Sequence, residues 1–291
     1  MKLVTYNYND TVQVGLIGTD PAKVVPASVL GYRAGDMTAL IRELGGEVPA
    51  SLLSKVDAAA GVPFADCRLL APIKHPEQDV LCLGVNYLEH RDETVKSDVV
   101  YDASGTNTIY FGKRVDAAVD PFGEIDSHSD LVDSLDYEVE LAVIIGKDAK
   151  HVPLAAAKEY VFGYTILNDV SARNLQSRHQ QWYFGKSLDG FTPIGPWIVT
   201  RDELPWLPKV GIRAYLNREL RQNSNTELMI TNIDVVIHEL SRGMTLKAGT
   251  IIAMGTPSGV GMGFTPGKYM RPGDVIRCEI DGIGVLENTV R

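Results

Sequence analysis

Two alternating runs of apolar and polar residues flank Asn9-Asp10 in MKLVTYNYNDTVQVGLIG, at the start of the chain. Alternation with period two marks a strand with one buried face, and an Asn-Asp pair between two such runs predicts a β-hairpin. DMTALIREL (36–44) has helical spacing with Asp36 placed as its N-cap, and an Ala-rich stretch follows near 57–61. Pro72 and the polar KHPEQD (74–79) then punctuate the chain, which suggests a small N-terminal domain over 1–70 and a larger one over 71–291. In the larger part strand-length apolar runs dominate: DVLCLGV, YEVELAVIIG, YVFGYTIL, PWIVT, GIRAYLN, TIIAMG, DVIRCEI and GVLENTV. Gly, Asp or Asn sits in their turns, and only AAAKEYV (155–161) and the segment around IDVVIHELSRGM (233–244) read as helices. The prediction is a strand-rich α+β protein.

Two of the predicted strands carry charge where a core would not. In DYEVELAVIIG (136–146), Glu138 and Glu140 stand at i and i+2, so they leave one face while Val139, Leu141 and Val143 leave the other. Like charges on one face of an apolar strand repel and resist desolvation, so such a pair either faces water or holds something positive. In GYTILNDVSAR (163–173), Asp169 ends a second apolar strand, and if the two strands are neighbours three carboxylates converge. Hard oxygen ligands suit Mg²⁺ or Mn²⁺. Spacing alone leaves the cation site and a solvated acidic face equally open.

His90 and Glu93 in NYLEHRDE (86–93) stand three apart, which a helical turn places within hydrogen-bond reach, with Asn86 positioned to cap that turn. An imidazole oriented by a carboxylate can take a proton from water, although an exposed polar helix often carries the same spacing. Lys186 in GKSLDGF reads, on its spacing alone, as a surface lysine between two loops. Thr256, between Gly255 and Pro257, sits on a turn whose hydroxyl and N–H groups could receive a carboxylate. LEHRDETVKSD (88–98) is too polar to hold itself on a core, so residues 88–95, with 97–108, are expected to form a lid that orders over a bound anion.

Composition narrows the function classes. A net charge of −9, with no cluster of Lys and Arg, argues against a nucleic-acid surface. No apolar run reaches the ~18 residues that a membrane span requires. Cys67, Cys82 and Cys278 are odd in number and set among apolar neighbours, which predicts buried thiols in a reducing, cytoplasmic compartment.

Ordered blocks then carry a resemblance. CLGVNYLEHRDE (82–93), DYEVELAVIIGK, GYTILNDVSARNLQ, GKSLDGFTPIGPWIVT (185–200), GTPSGVG (255–261) and RPGDVIRCEIDGIGVLENTV (271–290) resemble the fumarylacetoacetate hydrolase family, in that family's order, from about residue 70 to the end. The resemblance implies a mixed β-sandwich roll as catalytic core behind a small N-terminal domain. It implies a divalent cation, Mg²⁺ or Mn²⁺, on Glu138, Glu140 and Asp169; a water-activating pair in His90 and Glu93; an active-site lysine in Lys186; and substrate contacts at Thr256, Arg173, Gln181 and Tyr183. FGKRVDAAVDPFGEI (111–125) departs from the family's Phe-x-Lys-Pro loop, because Arg114 follows Lys113 and adds a guanidinium that either meets a second substrate carboxylate or points to solvent. The implied activity is cleavage of a C–C bond in acylpyruvate-type 2,4-dioxo acids through a metal-stabilised enolate, with His90 and Glu93 activating water. Isomerisation, tautomerisation and oxaloacetate decarboxylation are alternatives on the same site. A non-catalytic small-molecule binding protein is the other class, and a homodimer is the implied assembly.

Overall fold

The computed structural model describes residues 1–94, 107–179 and 181–291, so Val95 and 97–106 of the expected lid lie outside the described residues. Its strands are β1 (Lys2–Tyr8), β2 (Thr11–Ile17), β3 (Lys23–Pro26), β4 (Val62–Pro63), β5 (Arg68–Leu70), β6 (Val80–Gly84), β7 (Ile109–Lys113), β8 (Glu124–Ile125) and β9 (Leu135–Asp136). They continue with β10 (Val139–Ile145), β11 (Val161–Asn168), β12 (Ser171–Ala172), β13 (Ile194–Thr200), β14 (Gly211–Leu216), β15 (Glu219–Asn225), β16 (Ile251–Ala253), β17 (Val275–Ile280) and β18 (Gly284–Val290). The α-helices are α1 (Met37–Glu43), α2 (Leu52–Ala58), α3 (Leu88–Thr94), α4 (Arg173–Arg178), α5 (Tyr183–Lys186) and α6 (Ile233–Gly243).

Among the described residues, an eleven-stranded sheet runs β4-β3-β2-β1-β13-β11-β10-β16-β6-β7, with β5 also paired to β1. A five-stranded sheet, β15-β14-β17-β18-β8, packs on one of its faces. Asn9 and Asp10 take φ of 50° and 60°, the left-handed pair a two-residue hairpin turn demands, and Tyr8 pairs with Thr11 as the alternation predicts. Lys2 and Leu3 of β1 in turn pair with Val199 and Ile198 of β13, so the amino-terminal hairpin extends the same sheet that carries the acidic strands. Asp36 caps α1 as expected, its carboxylate accepting the Ala39 N–H at 2.7 Å.

Strand β10 shows how the layers form. Val139, Leu141, Val143 and Ile145 enter the core shared with Ile212, Ile276 and Leu286 of the five-stranded sheet. Ala142 and Ile144 enter a second core closed by Met37, Leu40 and Ile41 of α1. Each fully buried aliphatic side chain contributes roughly 1.5–3 kcal/mol, so a strand covered on both faces is held rigidly. Glu138 and Glu140 therefore project into the interior, not into solvent. Cys82 and Cys278 are buried as expected, whereas Cys67 is only half-buried because it lies in a turn after Phe64–Asp66. No helix of the described residues is long and apolar enough to cross a membrane.

Candidate active site

Antiparallel pairing of Val139 with Asn168 and of Glu140 with Leu167 sets the first element of the site. Glu138 precedes β10 and Asp169 follows β11, so both strand ends deliver carboxylates to one point. Asn168 fixes the junction by accepting the Glu138 N–H on its Oδ1 at 2.9 Å, and Asp169 N–H donates to Glu138 O at 2.9 Å. One oxygen from each of Glu138, Glu140 and Asp169 lies within 4.8 Å of the others, and all three side chains are buried.

Cations offset two of these three charges. Lys186 Nζ donates to Glu138 Oε2 at 2.7 Å and Asp169 Oδ2 at 2.8 Å. Arg173 reaches Glu138 Oε1 at 2.6 Å. Lys113, wholly buried, donates to Asp169 Oδ1 at 2.7 Å, to Val170 O at 3.1 Å and to Lys186 O at 2.5 Å. Burial pushes the Glu138 carboxyl up, but the Lys186 and Arg173 charges more than offset it and hold the group down at about 2. Burial also pushes Glu140 up, and there the neighbouring Asp169 and Glu138 charges add to it, so its carboxyl stands well above the usual range. Glu140 accepts the Gly255 N–H at 2.7 Å and has no ion-pair partner among the described residues. A buried carboxylate repelled by two neighbours and left without a cation is the feature that fits a divalent metal ion.

A pH dependence follows with a definite sign. Because the Glu140 carboxyl is raised, the metal-free protein keeps its proton above the ordinary carboxyl range, and a cation must displace that proton. Mn²⁺ affinity should fall as pH falls, and binding heats in buffers of different ionisation enthalpy should show net proton release. Heats that do not depend on the buffer would exclude this.

The second element comes from the end of β6. Val85 holds φ at 55°, a left-handed conformation that costs a β-branched residue of order 1–3 kcal/mol, and it turns the chain so that α3 lies over the carboxylates. On α3, His90 Nδ1 lies 3.0 Å from Glu93 Oε2, with the histidine side chain 6% exposed. Glu93 Oε1 accepts the Gly259 N–H at 3.0 Å, and Ser258 Oγ donates to Glu89 Oε2 at 3.3 Å. Asn86 does not cap the helix as expected. Its side chain instead donates to Met254 O and Thr231 O and accepts the Thr231 N–H, because the turn at Val85 buries it. The space enclosed between α3 and the carboxylates is about 30 Å³, bounded by His90, Glu138, Arg173, Trp182, Lys186 and Thr256.

The structure thus brings together His90, Glu93, Glu138, Glu140, Asp169, Arg173, Lys186 and Thr256. Thr256 is engaged on both sides, donating to Val139 O at 3.0 Å and accepting from Gln222 Nε2 at 2.7 Å. Gln181 and Tyr183 are exposed and do not border the enclosed space; Tyr183 is 45% exposed. Arg114 is also exposed, its N–H bonded to Ser187 Oγ at 3.0 Å, and its neighbour Lys113 is the residue that enters the site. Lys113, Asp136, Trp182 and Gln222 also border or brace the site, and nothing in their sequence spacing marks them.

Residues 79–291 match the family described as fumarylacetoacetate (FAA) hydrolase C-terminal. The chain belongs to the fumarylacetoacetate hydrolase family. It is 41% identical over 227 residues, 78% of this chain and 74% of the relative, to the oxaloacetate tautomerase YisK of Bacillus subtilis. A fumarylacetoacetate hydrolase from the psychrophile Exiguobacterium antarcticum shares the fold with a TM-score of 0.84 at 38% identity, covering 100% of this chain and 99% of that one. Maleylpyruvate hydrolase from Sphingobium sp. SYK-6, solved with manganese(II) and pyruvate, aligns with a TM-score of 0.78 at 27% identity, covering 100% and 98%. The strand-rich sandwich is therefore the fumarylacetoacetate hydrolase fold, and its acidic triad is a metal-binding cluster of a family that includes hydrolases and tautomerases.

Proposed function

We propose that this member is a Mg²⁺- or Mn²⁺-dependent enzyme of short 2-oxo acids, and that it interconverts the keto and enol forms of an oxaloacetate-type diacid. The observation carrying this reading is the His90–Glu93 pair set against three clustered, buried carboxylates, which places a proton acceptor beside a metal-binding site. The relative named as an oxaloacetate tautomerase supports the same choice. A bound divalent cation would supply positive charge for the 2-oxo acid's carboxylate and for the ketone oxygen as negative charge builds there. Glu138, Glu140 and Asp169 would hold it. Lys186 and Arg173 stand beside Glu138 and give the substrate anion a positively charged wall. His90, oriented by Glu93, would take the proton from C3 and return it to the oxygen, so that no atom is lost or gained.

The second reading, C–C hydrolysis of an acylpyruvate, is favoured by the maleylpyruvate hydrolase resemblance. There His90 would take a proton from water, the resulting hydroxide would add to the distal carbonyl, and the C–C bond would break to a carboxylic acid and the enolate of pyruvate. Enol absorbance of oxaloacetate and pyruvate release from an acylpyruvate, each with and without Mn²⁺, separate the two. The expected result is Mn²⁺-dependent acceleration of oxaloacetate enolisation with weaker acylpyruvate cleavage. Cleavage alone would reverse the order of the readings, and inertness toward both substrates would exclude them.

A further inference from the structure

Asp136 is fully buried at the end of β9, two residues before Glu138, and the chemistry proposed above gives it no task. Its carboxylate collects donors on both oxygens. Oδ1 accepts the N–H groups of Tyr137 at 2.9 Å and Gly261 at 2.6 Å, while Oδ2 accepts Met262 N–H at 3.0 Å and Arg173 Nε at 2.9 Å. In one direction Arg173 continues to Glu138 Oε1 at 2.6 Å. In the other, Gly261 and Met262 belong to the single 3₁₀ turn Gly261–Gly263, on which α3 is seated. A Cβ at Gly263 would overlap the Glu93 carboxylate, so this glycine is the seat itself, and Gly259 N–H donates to the same Glu93 oxygen, Oε1, that lies against it. Glu93 then orients His90.

We infer that Asp136 is a positioning residue that ties the carboxylate cluster to the docking of α3, and so seats the His90–Glu93 pair over the metal-binding carboxylates. The requirement for a carboxylate follows from its partners. All of them are donors, so an amide at this position must point its own NH₂ at two of them, and a backbone N–H or the Arg173 guanidinium loses its acceptor. The turn then loosens beneath Glu93, while Glu140 and Asp169 keep their places on β10 and β11. The catalytic consequence rests on the proton-transfer role proposed for the pair; the docking itself does not.

Amide hydrogen exchange on the metal-free protein tests the docking directly. Asp136→Asn should speed exchange at Arg91, Asp92 and Glu93 by about tenfold or more, while β10 and β11 keep wild-type protection and Mn²⁺ affinity changes less than about threefold. In a Glu93→Ala background the link from α3 to the turn is already cut, so adding Asp136→Asn should change exchange at Arg91 and Asp92 by less than about twofold. Equal acceleration in both backgrounds, or loss of β10 protection together with Mn²⁺ affinity, would overturn the inference. If Asp136→Asn does not fold, Gly263→Ala tests the same link with Asp136 intact: it should loosen Arg91, Asp92 and Glu93 alike, and unchanged exchange there would overturn the inference equally. A wild-type enzyme inert toward 2-oxo acids would sink the proposed function and leave the exchange result standing.

Discussion

Glu140→Gln should weaken Mn²⁺ binding by more than about 100-fold, beyond the ~10–100-fold typical of changes outside the ligand set, while leaving the fold intact. The amide keeps an oxygen for the Gly255 N–H, so the hydrogen bond at 2.7 Å has a replacement acceptor. What disappears is the negative charge that burial and the neighbours Asp169 and Glu138 already push toward protonation. A carboxyl whose folded-state pKa is raised weakens the native state as pH climbs from the ordinary carboxyl range toward the raised value. The metal-free variant should therefore be at least as stable as wild type near neutral pH, and less sensitive to rising pH over that interval. Thermal unfolding with and without Mn²⁺ checks both parts: wild type should gain melting temperature from the metal by mass action, and the variant should not. A metal-induced rise of equal size in the two proteins would remove Glu140 from the ligand set. The corresponding change at Glu138 should behave differently. Its carboxyl is held down at about 2 by Lys186 and Arg173, so Glu138→Gln leaves buried cations undercompensated and should destabilise the protein even without metal.

The acidic triad is legible in the sequence because strand periodicity is strict: i and i+2 share a face, and one hairpin of two apolar strands can bring Glu138, Glu140 and Asp169 together. The Asn9-Asp10 hairpin and the Asp36 cap are legible for the same kind of reason, since each rests on a local backbone demand. Residues that depend on a change of element are not. Gln181 and Tyr183 lie at the short helix α5, where Lys186 N–H donates to Trp182 O at 3.0 Å. Trp182 and Lys186 are four apart and share the inward face, whereas Tyr183 and Phe184 turn to solvent. Lys113 ends β7 facing inward, which sends Arg114 outward by the alternation of a strand. Strand β15, ELRQNSN, is almost wholly polar and shows no apolar period, because it is the edge of its sheet and its pairing is set by a turn at Asn217 and Arg218, with φ of 50° and 70°. Gln222 on that strand is nevertheless buried, accepting the Val139 N–H at 3.1 Å between the two metal-binding glutamates. A glutamine that replaces a missing strand partner leaves no pattern in a single sequence.

His90→Ala should lower turnover by about 10² or more, the usual scale for loss of general acid–base catalysis, with Mn²⁺ affinity near wild type because His90 is not one of the clustered carboxylates. Glu93→Gln should approach the same loss by a different route. In the native pair, Glu93 Oε2 accepts from His90 Nδ1 at 3.0 Å, which leaves the lone pair on Nε2 to take a proton. The glutamine oxygen is drawn to the Gly259 N–H that Glu93 Oε1 now accepts, so the amide NH₂ faces Nδ1, favours the opposite tautomer and takes that lone pair away. If the pair moves the proton at C3, enolisation of oxaloacetate and cleavage of acylpyruvates should fall together in both variants. Decarboxylation of oxaloacetate should persist, since CO₂ leaves without any proton passing through His90. If the pair serves only to activate water, enolisation survives and cleavage alone is lost, which would turn the proposed tautomerase back into a hydrolase. Wild-type rates of both reactions in His90→Ala would remove the pair from the mechanism altogether.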